Sequence, residues 1–303
     1  MLSTALLLLL ATTPAETPSL REALQARISR VKGAHVAVFY QRRDEPQDVL
    51  ELEADRVFHA ASTMKVAVML EFFRRVDAGE LAPTQSQTLV NQFTSIVDGS
   101  PFAVDPKDDE DSALYERLGQ PVPMRELVER MITRSSNLAT NTVIARVDAK
   151  RVTKTLRSLG ARRMTVLRGV EDGKAYAKGL NNTTTAGDLA LLLTAIERGR
   201  AASASSTRAM LDILRAQELN GEIPAGLPEG TPVAHKTGQI SGVLHDAALV
   251  YPPGRSPYVL VVLTSGIPEE TVARALIVDV SRCVYTHATR SGLATSPPAN
   301  PTR

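Results

Sequence analysis

The chain has 303 residues, 43 % of them hydrophobic and 22 % charged, with a formal net charge of +2 and a pI near 8.7. That composition belongs to a globular protein with a sizeable core, large enough for one big domain or two lobes. The charge is mild and evenly spread, without a basic stripe interleaved with aromatics, which excludes the usual footprint of a nucleic-acid or anionic-membrane binder.

The apolar run Leu6 to Leu10 followed by the small residues Ala11 to Ala15 predicts an export signal cut after Ala15, hence a periplasmic or extracellular location, although Lys and Arg are missing from its start. No other segment approaches membrane-spanning length, so no stable membrane span is expected after cleavage. Leu20 to Val31 reads as a surface helix, and Ala34 to Tyr40 and Val49 to Val57 alternate like two strands joined by a turn at Asp44 to Pro46. From Ser62, apolar residues at Val66, Met69, Leu70, Phe73 and Val76 recur at helical spacing, and Gly79 supplies a stop. Residues 80–120 read as loop with short elements, and their acidic run Asp105 to Asp111 as a solvated face. Helical periodicity returns at Met124 to Met131 and across residues 136–149. Thr185 and Asp188 form a capping signal before Leu189 to Ile196, and a further helix is expected over residues 206–216. Strands come next at Val233 to Gly238, Asp246 to Tyr251 and Tyr258 to Thr264, then a long helix from Pro268 to His287. The single Cys283 lies among Val278, Val280 and Val284 and reads as a small buried hydrophobe. Residues 290–303 lack periodicity and read as a disordered tail.

Three short motifs punctuate this order: Ser62-Thr63-Met64-Lys65 at a helix start, Ser135-Ser136-Asn137 at a helix junction, and Lys236-Thr237-Gly238 in a strand-like run. A hydroxyl is a poor nucleophile without a base in contact, and Lys three residues after Ser on a helix shares its face. The unpaired N–H groups of a helix N-terminus would favour a developing oxyanion on Ser62. Burial and the neighbouring cation Lys236 would both lower the pKa of Lys65, as a proton shuttle requires. Lys236 and Thr237 suit a carboxylate, the cation by charge and the hydroxyl by direction, and Gly238 would let a substrate pair with the strand edge. His59, His235 and His245 lack any metal-ligand spacing, and neither a P-loop nor a dinucleotide fingerprint is found, so no metal or cofactor is expected. His245-Asp246 reads as packing behind the Lys-Thr-Gly motif.

The order and spacing of these motifs resemble the class A serine β-lactamases and the related penicillin-binding proteins. Similar segments extend to Phe58 to Lys65, Met124 to Leu127, Ile132 to Asn141, Thr183 to Thr185 and Val233 to Gly238, so the resemblance covers most of residues 20–288. It implies an α/β fold with an all-α lobe: an antiparallel sheet assembled from both termini, helices on its faces and an inserted helical domain. On that reading residues 16–63 and 219–289 form the α/β lobe and residues 64–218 the helical lobe.

The resemblance also implies roles. Ser62 is the nucleophile, Lys65 its proton shuttle, and Ser135 the hydroxyl that passes a proton to the leaving nitrogen. Asn137 would hold the substrate's side-chain carbonyl, and the backbone N–H groups of Ser62 and Gln239 would form the oxyanion hole. The family more often carries Asp where this chain has Ser136, a position that supports the loop. Glu171 ends a run, Val166 to Glu171, similar to the one leading to the glutamate that activates the hydrolytic water. The residues after Glu171 depart from the family: E-x-x-L-N is absent, and the Asp that usually precedes Thr-Thr-Thr is Asn182, which removes an ion pair. Glu171 therefore stands between a catalytic base and a solvated loop carboxylate. The implied activity is opening of β-lactam rings through an acyl-serine intermediate by a monomer acting on a small molecule. The alternatives are a D-alanyl peptide or ester hydrolase of the same fold and a penicillin-binding sensor that stays acylated.

Overall fold

The computed structural model describes residues 18–290. The expected export signal, and the expected tail beyond Arg290, lie outside the described residues. The chain opens with α1 (Leu20–Ile28), β1 (His35–Arg42), β2 (Val49–Leu52), the short β3 (Phe58–His59), a 3-10 turn Ala61–Met64 and α2 (Lys65–Asp77). A loop-rich stretch carries β4 (Ser86–Thr88), β5 (Phe93–Thr94), β6 (Pro101–Phe102) and β7 (Pro121–Pro123). Next come helices α3 (Met124–Thr133), α4 (Asn137–Val147), α5 (Ala149–Leu159) and the short α6 (Gly173–Ala177), then β8 (Thr183–Thr184), α7 (Ala186–Glu197) and α8 (Ala204–Arg215). The chain closes with β9 (Val233–Ile240), β10 (Val243–Val250), β11 (Tyr258–Ser265) and α9 (Glu270–Thr289).

The main sheet has five antiparallel strands in the order β2-β1-β11-β10-β9, so both ends of the chain build it. Side chains alternate across a strand, and the central β11 uses both faces. Val259, Val261 and Leu263 pack into a core shared with α2 to α5, α7 and α8, whereas Tyr258, Leu260 and Val262 pack with α1 and α9. Burial on both faces explains why β11 reads as an unbroken apolar run rather than an alternating one. Among the described residues β9 pairs only with β10, and its outer edge lies beside the 3-10 turn that carries Ser62.

Three expected boundaries shift for local backbone reasons. The second strand ends at Leu52 because Glu53 turns the chain at φ 47°. The helical stretch at 136–149 stops at Val147, where Asp148 has φ 67°, and Asp148 then caps the separate α5 through its side chain. Ser62 lies in the 3-10 turn one turn ahead of α2 rather than within its first α-helical turn. The Thr185 capping signal is realised, its hydroxyl accepting the Asp188 N–H at 3.0 Å.

The acidic run is not a uniformly solvated face. Asp109 and Asp111 point inward and are buried, while Asp108 and Glu110 point out into the cleft. The four acids lie where one 3-10 helix, Pro106–Asp108, passes through a turn into the next, Ser112–Arg117, and each buried carboxylate has charged or N–H partners.

Leu260 is fully buried in the central strand. Leu260→Ala is expected to cost about 2 to 5 kcal/mol, seen as a lower urea midpoint at unchanged m-value; an unmoved midpoint would contradict the packing described.

Candidate active site

The three motifs meet at one cleft of about 1090 Å³, whose walls include Ser62, Ser135, Asn137, Glu171, Thr237, Gly238 and Gln239. Lys65 and Lys236 lie beneath it, both fully buried. A second pocket of about 370 Å³ reaches Ser62 from the side of Glu171 and is lined by His59, Arg168 and Tyr176.

Ser62 is presented by a strained turn. Ala61 before it adopts φ 44°, a left-handed conformation that costs a residue with a side chain about 1 to 2 kcal/mol. Two imidazoles brace that turn. The Ala61 N–H donates to His59 Nδ1 at 3.0 Å, and the His59 carbonyl lies 2.9 Å from His245 Nε2. His245 Nδ1 lies 3.1 Å from the Thr264 nitrogen and 2.8 Å from the Leu244 carbonyl, so both ring nitrogens are held by the backbone. Burial pushes the His245 pKa down to about 4, so the ring stays neutral and serves as a structural link behind Lys-Thr-Gly. Among the described residues the Ser62 hydroxyl has no hydrogen-bond partner, which leaves it directed at the cleft.

The Lys65 ammonium places its three donors on the Ser135 carbonyl at 2.7 Å, Ser135 Oγ at 3.2 Å and Asn137 Oδ1 at 2.9 Å. Its partner in the resting site is thus the Ser135 to Asn137 turn rather than Ser62. Ser135 has φ 58°, and that left-handed backbone accompanies a carbonyl directed at the amine. Lys236 Nζ approaches the same Ser135 Oγ at 3.1 Å and the Thr237 carbonyl at 3.0 Å. Burial, reinforced by Lys236, holds the Lys65 pKa well below the ordinary lysine range. Burial likewise brings Lys236 down to about 7.

A Cβ at Gly238 would lie 3.1 Å from the Ser62 nitrogen and 3.0 Å from Thr63 Cγ2. The missing side chain therefore gives clearance toward the serine turn, letting β9 lie against it and bringing Gln239 to the same cleft as Ser62. The Gln239 side chain donates to Glu270 at 2.6 Å, tying the end of β9 to the start of α9.

Glu171 is on the cleft wall. Its Oε1 accepts the Asn137 side-chain amide at 3.2 Å, so Asn137 joins the Glu171 carboxylate to the Lys65 amine. Partial desolvation and nearby Asp108 raise the Glu171 pKa. The backbone here is clamped on both sides of a left-handed Glu171, φ 63°. Asn141 pairs both ends of its amide with the Val170 backbone, at 2.7 and 3.0 Å, and Asp172 accepts Ser95 Oγ and the Ile96 N–H at 2.9 and 3.0 Å. Asn182 closes the base of this loop by accepting the Leu167 N–H at 2.8 Å and donating to the Arg168 carbonyl at 3.0 Å.

Asn141, Asp109, Asp172 and His59 are contributors that motif reading missed, whereas His245 packs behind Lys-Thr-Gly as its place in the sequence suggests. Only an Asn one helical turn beyond Asn137 gives any sign in the sequence of the first of them.

A family model described as "Beta-lactamase enzyme family" matches residues 19–288. The chain belongs to that family. It is a hydrolase of the serine β-lactamase type. It is similar to "Beta-lactamase 1" of Streptomyces cacaoi, 28 % identical over 248 residues, which are 77 % of this chain and 73 % of that protein. Against the beta-lactamase of Bacillus amyloliquefaciens identity is 30 % over 164 residues, covering 52 % of this chain and about half, 54 %, of that relative. Among solved structures it resembles PBP-A, with 30 % identity and a TM-score of 0.76 over 91 % of this chain and 98 % of that one. A point mutant of PBP-A, solved as an acyl-enzyme complex with penicillin G, matches with a TM-score of 0.75 at 30 % identity over 88 % of this chain and 95 % of that one.

With its pKa near 7, Lys236 attracts an anion only while protonated. A carboxylate-bearing inhibitor is expected to bind with an affinity that falls above about pH 7, approaching tenfold per pH unit. Calorimetric titration between pH 6 and 8.5 checks this; a flat affinity, or the same slope for the inhibitor's methyl ester, would contradict it.

Proposed function

We propose that this enzyme opens β-lactam rings through an acyl-serine intermediate. The observation that carries the reading is the Ser135 hydroxyl held between two buried amines beside a cleft that also exposes Ser62. In the proposed reaction Ser62 Oγ attacks the lactam carbonyl while its proton passes to Lys65, whose lowered pKa supplies a neutral fraction. The N–H groups of Ser62 and Gln239 receive the oxyanion. With two ammonium groups available as donors to its oxygen, Ser135 can turn its own hydrogen toward the cleft and protonate the leaving nitrogen, while its oxygen takes from Lys65 the proton that Ser62 gave up. Lys236 and Thr237 take the substrate carboxylate.

Deacylation then requires an activated water. Glu171 is the base in this proposal, with the Asn137 amide fixing its carboxylate. A raised pKa makes it a better proton acceptor from water than an ordinary glutamate. The polar cleft suits a single small-molecule substrate. Export, read from residues 1–15, agrees with a substrate met outside the cytoplasm.

A second reading, a D-alanyl peptide or ester hydrolase that releases β-lactams slowly or keeps them, draws on one observation. The segment after Glu171 is spent on structure: Asp172 caps α6, and Lys174 pairs with Asp98 at 2.7 Å. The α6 segment, Gly173–Ala177, contains no side-chain amide of the kind E-x-x-L-N would provide.

The two readings separate on turnover of a chromogenic cephalosporin. Sustained hydrolysis is expected, and a stoichiometric burst would favour the second reading. Ser62→Ala should reduce turnover by about 10³-fold or more; undiminished hydrolysis would remove Ser62 from the mechanism. Glu171→Gln should leave acylation and slow deacylation, so intact mass shows a covalent penicillin adduct that persists; deacylation at the parental rate would exclude Glu171 as the base.

A further inference from the structure

We infer that Asp109 is a positioning residue for the reaction, supplying from a separate loop the carboxylate that the Ser135-Ser136-Asn137 turn lacks. The inference rests on the proposed acyl-serine reaction and concerns how its groups are held.

The first residues of α4 leave backbone N–H groups without intrahelical acceptors. Asp109 Oδ2 accepts two of them, Asn137 N–H at 2.9 Å and Leu138 N–H at 2.8 Å, and Ser136 Oγ accepts the third, Ala139 N–H at 3.2 Å. The same Asp109 oxygen receives the Tyr115 hydroxyl at 2.9 Å and the Ser136 hydroxyl at 3.4 Å, while Oδ1 accepts the Asp111 N–H at 3.0 Å. A serine in the middle of the motif can accept one such donor and brings no charge. The buried carboxylate does the remaining work at the positive end of the helix.

Asp111 grips the other side of the turn. Its two oxygens accept Arg130 Nη1 at 2.9 and 3.1 Å, from the helix that ends just before Ser135. Segment 109–111 thus braces α3 and α4 across the strained Ser135. Asn137, the residue whose N–H Asp109 holds, carries the amide that meets Lys65 on one end and Glu171 on the other. A shift of that residue would disturb the proton shuttle and the deacylation base together. The Asp109 charge also acts on Lys65 directly, opposing the effects of burial and Lys236, as Glu171 and Glu110 do from other positions.

The test compares four full-length proteins: the parent, Asp109→Asn, Ser136→Asp and the double variant. For each, kcat and KM for a chromogenic cephalosporin, the pH profile and the melting temperature are measured. Asp109→Asn should lose about 10- to 100-fold, chiefly in kcat. Its acid limb should move to lower pH, because removing a negative charge favours neutral Lys65. Ser136→Asp alone should also lose activity, since it crowds a second carboxylate against Asp109. The double variant, with the carboxylate moved to position 136, should exceed both single variants in kcat and return the acid limb toward the parental pH. Parental kinetics in Asp109→Asn would overturn the inference. So would a folded double variant no better than Asp109→Asn, or a double variant that does not fold. A parent that opens no lactam would instead defeat the proposed function. In that case the rate of Ser62 acylation by penicillin G, followed by intact mass, replaces turnover across the same four proteins.

Discussion

The site depends on burying two amines around one hydroxyl. Ser135 Oγ lies 3.2 Å from Lys65 Nζ and 3.1 Å from Lys236 Nζ, and among the described residues neither amine forms a salt bridge. An ammonium group out of water is costly unless hydrogen bonds replace its hydration or it gives up its proton. Both outcomes are present. Lys65 has three oxygen acceptors, and both pKa values fall. The arrangement needs α2, the turn between α3 and α4, and β9 at once, so the acid–base chemistry exists only when the helical layer and the sheet are docked.

Backbone strain is concentrated in the same place. Among the described residues five non-glycine positions have left-handed φ, and three of them, Ala61, Ser135 and Glu171, border the cleft. Such conformations persist only where surroundings over-determine them. Each here is bracketed: Ala61 by His59, Ser135 by the Lys65 amine at its carbonyl, and Glu171 by the Asn141 and Asp172 clamps. Ser62, the Ser135 hydroxyl and the Glu171 carboxylate are thus each carried on or next to a fixed kink. Preorganisation of this kind spares the reaction the reorganisation that mobile groups would need.

The loop that carries Glu171 is closed by neutral groups where the family uses an ion pair. Asn182 pairs with the backbone of residues 167 and 168, and Arg168 spends its guanidinium on the Leu180 and Gly169 carbonyls and on Asn181 Oδ1. The missing ion pair is therefore a substitution of one closure for another, and Glu171 still meets Asn137. A similar transfer occurs at Ser136, where the carboxylate comes from Asp109 instead.

The sequence by itself determined most of the longer helices, the strands of the main sheet and the three motifs, because those depend on local periodicity and on neighbours a few residues apart. Tyr258 to Thr264 declared a strand, Thr185 and Asp188 declared a helix start, and the spacing within Ser62 to Lys65 and Lys236 to Gly238 was enough to nominate the chemistry. Tertiary structure decided what no local pattern encodes. It turned Asp109 and Asp111 inward out of an acidic run that reads as solvated, and gave the Lys65 donors to Ser135 and Asn137 rather than to Ser62. It also directed the open side of Gly238 at the serine turn and linked Glu171 to Lys65 through one amide. Each of these joins residues dozens of positions apart, and which side chains of a loop face the core is fixed only when the surfaces that pack against it are in place.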